Sequence, residues 1–107
     1  MINVYLDDLR PRPKGFKLAR TVKQCLRLIK RNKVNILSLD YDLGFGSPSG
    51  FEVVAYMIRT RRFPKIIILH TANPFGRVRM YSALKQNKPE KVPLLVRPER
   101  IYLNFFN

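Results

Sequence analysis

The feature that most constrains the fold of this chain is a regular alternation of short apolar runs with segments of helical periodicity. Strand-like runs occupy residues 2–6, 16–20, 35–39, 65–69 and 92–96. Helical signals lie in each of the last three gaps between these runs, whereas a loop rich in proline and basic residues fills the first. Strands that alternate with helices form a mostly parallel sheet with helices on its faces. The pattern predicts one α/β domain over residues 1–107, with about five short strands.

Capping signals mark the beginnings of the first two predicted helices. Thr21 begins the first, and Gln24 stands three residues on, as a capping box requires. The apolar stripe of this helix is Val22, Cys25, Leu26 and Ile29. Ser49 begins the second helix, with Glu52 three residues on and Pro64 as its stop. The predicted apolar face of this second helix is Phe51, Val54, Ala55 and Ile58.

The C-terminal third contains one more helix signal and an aromatic tail. Asn73 followed by Pro74 is typical of an N-cap with proline at the first helical position, and it predicts a helix to about Lys88. The tail over residues 101–106 is apolar and aromatic. An edge strand, a lid on the core and a partner contact all remain open for it.

The charge of the chain restricts its partners. The chain contains 21 Lys and Arg residues and 7 Asp and Glu residues, which gives a net charge of +14. Such a field attracts polyanions, and the expected partner is a phosphate-bearing ligand such as RNA or a nucleotide. No apolar run reaches the roughly 18 residues of a membrane span. The single cysteine, Cys25, excludes an internal disulfide and suits a reducing, cytoplasmic setting. The oligomeric state stays open.

Acidic residues gather where predicted strands end. The carboxyl ends of parallel strands form one edge of the sheet, and ligands bind in the crevice beyond it. Two or three carboxylates there suffice for a hard cation that keeps several waters, so we expect Mg²⁺ or Mn²⁺. Four of the seven acids lie at these positions and are the predicted metal ligands: Asp7, Asp8, Asp40 and Asp42.

Polar residues also follow the later strands. His70, the one histidine, ends the 65–69 strand and is a candidate general acid or base, with a structural role as the alternative. The helix that begins after Asn73 offers backbone amides, near Gly76, that suit phosphate oxygens. The predicted phosphate-binding residues are Thr71, Asn73, Gly76, Arg10 and Arg97.

These residues resemble the receiver domains of two-component signalling. The resemblance rests on the acid pair Asp7-Asp8, on Asp40, on residues 50–53, on Thr71-Ala72 and on Arg97-Pro98. It implies a flavodoxin-like, three-layer fold in which the acid pair and Asp40 bind Mg²⁺ and Asp40 accepts phosphate. The chain departs from the pattern in three places. A loop over residues 10–15 replaces the first receiver helix, the loop over 40–50 is long, and Arg97 stands at the lysine position.

Three motifs in order are similar to the cyclic-phosphate-processing receiver-like family. They are residues 7–10 followed by prolines 11 and 13, residues 38–44, and residues 70–76 followed by Met80. That family is proposed to act on cyclic phosphates instead of relaying phosphoryl groups. Opening a cyclic phosphodiester needs an activated water, charge neutralisation and a proton for the leaving oxygen. A metal on the carboxylates, Asp40 among them, supplies the first two, and His70 supplies the third.

Three functions therefore compete. The first is a metal-dependent phosphoesterase that acts on a cyclic phosphate of a nucleotide or an RNA end. The second is a non-enzymatic receiver-like interaction module. The third is a basic nucleic-acid-binding protein with a vestigial site. His70 favours the first, because an ordinary receiver needs no histidine there, while the net charge fits the first and third equally.

Overall fold

A computed structural model of the chain describes residues 1–98 and has the predicted five-stranded parallel sheet. Its elements are β1 (Ile2–Leu6), β2 (Lys17–Ala19), α1 (Val22–Arg31), β3 (Val34–Leu39), α2 (Phe51–Thr60), β4 (Ile66–Leu69), α3 (Pro74–Asn87) and β5 (Leu94–Val96). The strand order is β2-β1-β3-β4-β5, which is the flavodoxin-like order. The α/β receiver-like fold is confirmed, and the tail over 101–106 lies outside the described residues.

The register of the sheet separates its two faces. Leu6 pairs with Leu39, and Leu39 pairs with Leu69, so these three side chains point to one face. All three are fully buried in the main apolar cluster, which also takes in the buried positions of the three helices. Burying each such side chain contributes roughly 1.5–3 kcal/mol. The helices therefore cover this face, and their packing holds the strand ends in place.

The neighbouring row of residues points to the opposite face. Tyr5 pairs with Ser38, and Ser38 pairs with Ile68. Between β1 and β2, where a receiver has its first helix, the chain forms a loop, as the sequence predicts. Phe16 from this loop packs edge-on against Tyr5, with ring centroids 6.2 Å apart. A loop residue thus covers Tyr5 in place of the missing helix.

The beginning of α1 follows the capping prediction closely. The Thr21 hydroxyl accepts a hydrogen bond from the Gln24 amide at 3.1 Å. The Gln24 side chain bonds back to the amide of Arg20 at 2.8 Å, one residue before the position a standard capping box uses. Of the predicted stripe, Cys25 and Ile29 are buried in the core, while Val22 and Leu26 pack against it partly buried.

The second helix differs from the prediction in its start and its buried face. Gly50, and not Ser49, is the N-cap. A Cβ at residue 50 would lie 1.9 Å from the Asp40 carbonyl oxygen, so only glycine allows this approach. The buried residues are Val53, Val54, Tyr56 and Met57. The predicted face was displaced because α2 is apolar nearly all round, so spacing alone does not single out one stripe.

None of the helices formed by residues 1–98 is long and apolar enough to cross a membrane.

Candidate metal and phosphate site

Three buried polar side chains meet where β1, β3 and β4 end. Asp7, Asp40 and His70 are 0%, 6% and 2% exposed. One potential ligand atom from each lies within 4.8 Å of the other two. The backbone extends the sheet to this point, because the Asp40 amide donates to the Leu6 carbonyl and the His70 amide to the Leu39 carbonyl, each at 3.0 Å. Strand pairing therefore fixes the spacing of the cluster.

Asp7 is held on both carboxylate oxygens. Its Oδ1 accepts the backbone amides of Leu9 and Arg10, each at 2.9 Å. Its Oδ2 accepts from the Arg10 guanidinium at 3.1 Å and lies 3.0 Å from Nε2 of His70. Burial alone raises the pKa of Asp7, but the hydrogen bonds from Arg10, Leu9 and His70 outweigh it and lower that pKa. Asp7 is therefore a carboxylate at neutral pH.

His70 uses both of its ring nitrogens inside the protein. Nδ1 lies 2.7 Å from the Ser38 hydroxyl, Nε2 faces Asp7, and the ring stacks on Tyr5 with centroids 4.3 Å apart. Because a carboxylate only accepts, Nε2 carries a proton and donates it to Asp7. In the neutral ring, the Ser38 hydroxyl then donates to Nδ1. The imidazole is thereby fixed in position and orientation.

Asp40 is held less firmly. Its Oδ1 accepts the Tyr41 amide at 2.8 Å, and Thr71 provides a side-chain hydrogen bond. Burial raises the pKa of Asp40, and the charge of Asp7 adds to the rise. The hydrogen bonds and the proximity of His70 do not cancel it. Asp40 therefore bears a desolvated charge that a cation would stabilise.

Arg10 already reaches toward that charge. Its NH1 atom lies 3.1 Å from Oδ2 of Asp7 and 3.7 Å from Oδ2 of Asp40, while 28% of the side chain stays exposed. Arg20 braces the loop from behind, with its guanidinium bonded to the carbonyls of Asp7 and Arg10 at 3.3 and 2.9 Å. A positive group thus sits at the mouth of the carboxylate pair.

The donor set fits a hard divalent cation. Mg²⁺ and Mn²⁺ are bound through a few carboxylates with water completing the shell, and both carboxylates here are buried and less than 5 Å apart. Carboxylates that ligate a metal are themselves held by hydrogen bonds from outer residues, and His70 donates such a bond to Asp7. The guanidinium of Arg10 contacts the same Oδ2 atoms, so a bound metal and Arg10 NH1 would compete for them.

Asp8 and Asp42, the other two acids predicted as ligands, lie outside this cluster. The Asp8 carboxylate is half-buried beside Gly44, 3.7 Å from where a Cβ would stand on that glycine. Asp42 is exposed and accepts from the Asn73 side chain at 3.0 Å. Asp42 therefore links the loop after β3 to the start of α3, and Asp8 lies beside the loop after β3.

The predicted phosphate-binding residues differ in their exposure and in the partners they already have. Thr71 is buried against Asp40. Asn73 caps α3 by accepting the Gly76 amide at 3.2 Å, so that amide already has a partner. A Cβ on Gly76 would lie 2.2 Å from the Tyr41 ring, so glycine here allows the ring to pack on the helix. Arg97 follows β5 and has an exposed side chain.

Three residues that support the site were not predicted from the sequence: Tyr5, Arg20 and Ser38. Ser38 carried a signal, since it is the one polar residue among the apolar positions 36–39. Tyr5 and Arg20 carried none, because an aromatic strand residue and a basic loop residue are ordinary in this chain.

Comparison with known proteins gives one family. Residues 2–86 match the family model described as the cyclic-phosphate processing receiver domain. The match includes Asp7, Asp40 and His70 together with the loops that carry them. No curated protein and no solved structure matches the chain.

Proposed function

The chain belongs to the cyclic-phosphate processing receiver family, and on that premise we propose that it is a metal-dependent phosphoesterase that opens a cyclic phosphate on a nucleotide or an RNA end. The observation that carries the proposal is the buried cluster of Asp7, Asp40 and His70. A phosphate processed at this edge needs positive charge, and Arg10 is within reach of it.

Asp7 and Asp40 are the proposed metal ligands. A divalent cation held there supplies an activated water and neutralises charge on the phosphate oxygens. Asp7 offers a carboxylate already fixed by two backbone amides, and Asp40 offers one whose charge is poorly compensated. Asp8 and Asp42, further out, are proposed to act through water or through loop position.

The proposed role of Arg10 is to bind the phosphate. Its guanidinium is exposed enough to turn outward, and a planar fork of donors matches two phosphate oxygens. Thr71, Asn73, Gly76 and Arg97 follow β4 and β5 at the same edge of the sheet and are proposed as further phosphate contacts. For Gly76 this requires that a phosphate oxygen replace the Asn73 side chain at its amide.

The proposed role of His70 follows from its hydrogen bonds. In its present position it donates to Asp7 and accepts from Ser38, so it orients a ligand carboxylate. Direct donation of a proton to the leaving oxygen requires the bond between Nε2 and Asp7 to open. We therefore propose His70 as a positioning residue, with proton transfer as the alternative that its mutant separates below.

A panel of phosphate substrates tests the activity. Cyclic mononucleotides, RNA with a 2′,3′-cyclic end and cyclic ADP-ribose phosphates are incubated with Mg²⁺ or Mn²⁺, with chelator as control. We expect at least one to be opened only with metal. Turnover should be lost in Asp40→Asn and kept in Glu90→Gln, an exposed acid beyond α3. If no substrate is opened above the chelated control, the proposed activity is wrong.

The net charge of +14 favours nucleic-acid binding as a second candidate function. In that case RNA should bind at low salt, lose affinity steeply as salt rises, and show no metal-dependent cleavage.

A further inference from the structure

The most exposed large apolar side chains among residues 1–98 lie on the segments that follow the strands of the candidate site. Phe45, Leu9 and Phe75 are 109%, 81% and 70% exposed. Leu9 follows β1, Phe45 lies in the loop after β3, and Phe75 is in the first turn of α3 after β4. These are the same three connections that carry the acidic cluster. We call these three side chains the apolar rim.

The three connections that carry the rim lie next to one another, and a hydrogen bond links two of them. Asp8 lies against Gly44, beside Phe45, and Asp42 accepts from Asn73, which caps the helix that carries Phe75. Phe45 lies between Gly44 and Gly46, whose positive φ values of 106° and 77° turn the backbone sharply on either side of it. The fully exposed Phe45 ring therefore stands on a tight glycine-flanked turn.

Packing does not explain this exposure. Burying an aromatic side chain contributes roughly 1.5–3 kcal/mol, and both rim phenylalanines forgo most of it. Behind Phe75, Tyr41 packs edge-on with centroids 6.4 Å apart. The Tyr41 hydroxyl accepts from Arg79, whose guanidinium lies 3.9 Å above the Phe51 ring. Solvent-facing aromatic rings stack on bases, and Arg79, bonded to Tyr41 behind Phe75, offers a positive charge to the phosphates of a bound strand.

We propose that the apolar rim binds the nucleobase of the substrate, so that the protein selects phosphates attached to a base over cyclic phosphates of bare sugars. This inference rests on the proposed function, since the rim borders the site where the phosphate is processed. The charge of +14 favours a polyanionic strand as the occupant.

Binding measured without turnover tests the rim independently of the activity. The probe is a short fluorescent single-stranded RNA with a linear 3′-phosphate, titrated in chelator, beside an abasic strand with the same number of phosphates. The wild type should bind the RNA more tightly than the abasic strand. Each of Phe45→Ala and Phe75→Ala should weaken RNA binding about 5- to 150-fold, the range for loss of one base stack, and leave abasic binding unchanged.

Val78→Ala is the matched control, because Val78 is 65% exposed on the same helix as Phe75. Equal affinity for the RNA and the abasic strand, or an equal loss in Val78→Ala, would overturn the proposal. So would Phe45-dependent binding to anionic vesicles, or Phe45-dependent self-association, without an effect on RNA. Base-dependent binding without turnover of any substrate would support the rim while contradicting the proposed activity.

Discussion

The end of β1 holds its carboxylate far more tightly than the end of β3. Asp7 accepts two backbone amides, an arginine and a histidine, and these bonds lower its pKa despite full burial. Asp40 accepts one backbone amide and the Thr71 hydroxyl, and burial leaves its pKa raised. The pKa values of two aspartates at the ends of neighbouring parallel strands are therefore shifted in opposite directions.

The difference separates two tasks. The contacts of Asp7 fix one negative charge in place without a ligand, whereas the charge of Asp40 is only partly compensated. A cation that contacts both carboxylates therefore draws most of its binding free energy from Asp40. Arg10 partly fills this role in the present structure, since its NH1 atom faces both Oδ2 atoms.

Replacing the firmly held carboxylate should have the largest effect on stability. Asp7→Asn sets an amide N–H₂ or an uncharged oxygen against donors from Arg10 and His70, and we expect a loss of about 3–5 kcal/mol in the free energy of unfolding. Urea denaturation in chelator measures it, with Asp42→Asn, an exposed acid, expected within about 0.5 kcal/mol of wild type. Comparable losses in the two variants would show that the contacts of Asp7 contribute little.

Removing the Arg10 guanidinium tests whether a positive charge is needed beside the carboxylates of Asp7 and Asp40. Arg10→Gln should cost about 1.5–3 kcal/mol in chelator, because it removes charge-assisted hydrogen bonds to buried acids. Mg²⁺ should restore much of this loss, and the variant should gain more from metal than wild type does. Arg12→Gln, on the same loop but exposed, is the control. An identical metal response in wild type and Arg10→Gln would show that metal and Arg10 do not compete.

The hydrogen bond from His70 to Asp7 leads to a prediction about metal affinity. If it orients Asp7, His70→Ala should weaken Mn²⁺ binding about 10- to 100-fold, as loss of an outer hydrogen-bond partner does. His70→Gln, which keeps a donor, should lose less. Calorimetric titration of Mn²⁺ measures both. Unchanged Mn²⁺ affinity together with a turnover loss of about 10²- to 10⁴-fold would favour direct proton transfer instead.

Replacing Asp40, at the end of β3, should have a smaller effect on stability, and of the opposite sign to that of Asp7→Asn. Because the fold raises the pKa of Asp40, folding favours its protonated form, and the stability this gives is lost as pH rises through that pKa. Asp40→Asn resembles the protonated form. In chelator it should be more stable than wild type at neutral pH by on the order of 1 kcal/mol, and the difference should vanish in acid. A variant less stable than wild type at neutral pH would contradict the raised pKa.

The sequence predicts the fold well because its signals are local. Alternating runs, caps at Thr21 and Asn73, and the proline loop each specify their own segment, and the parallel topology follows from the alternation. The start of α2 differs from the prediction because it depends on Gly50 fitting against Asp40, which is a contact between segments. Its buried face differs because the helix is apolar nearly all round, so packing and not spacing selects the stripe.

The site divides in the same way. Parallel pairing brings the strand ends, and with them Asp7, Asp40 and His70, to one place. In the structure one potential ligand atom from each lies within 4.8 Å of the other two. Side-chain direction does not follow from it, so Asp8 and Asp42 could not be separated from Asp7 and Asp40 by sequence. The hydrogen bonds between His70, Ser38 and Asp7 likewise depend on which face of the sheet each side chain takes.

Binding of Mn²⁺ to the metal-free protein tests most directly whether Asp7 and Asp40 form one cation site. The wild type and Glu90→Gln should bind Mn²⁺ with the same affinity. Asp40→Asn should bind at least about 10-fold more weakly, even though it is the more stable protein in chelator at neutral pH. Electron paramagnetic resonance of the free Mn²⁺ ion measures this affinity. Equal Mn²⁺ affinity in wild type and Asp40→Asn would contradict the account.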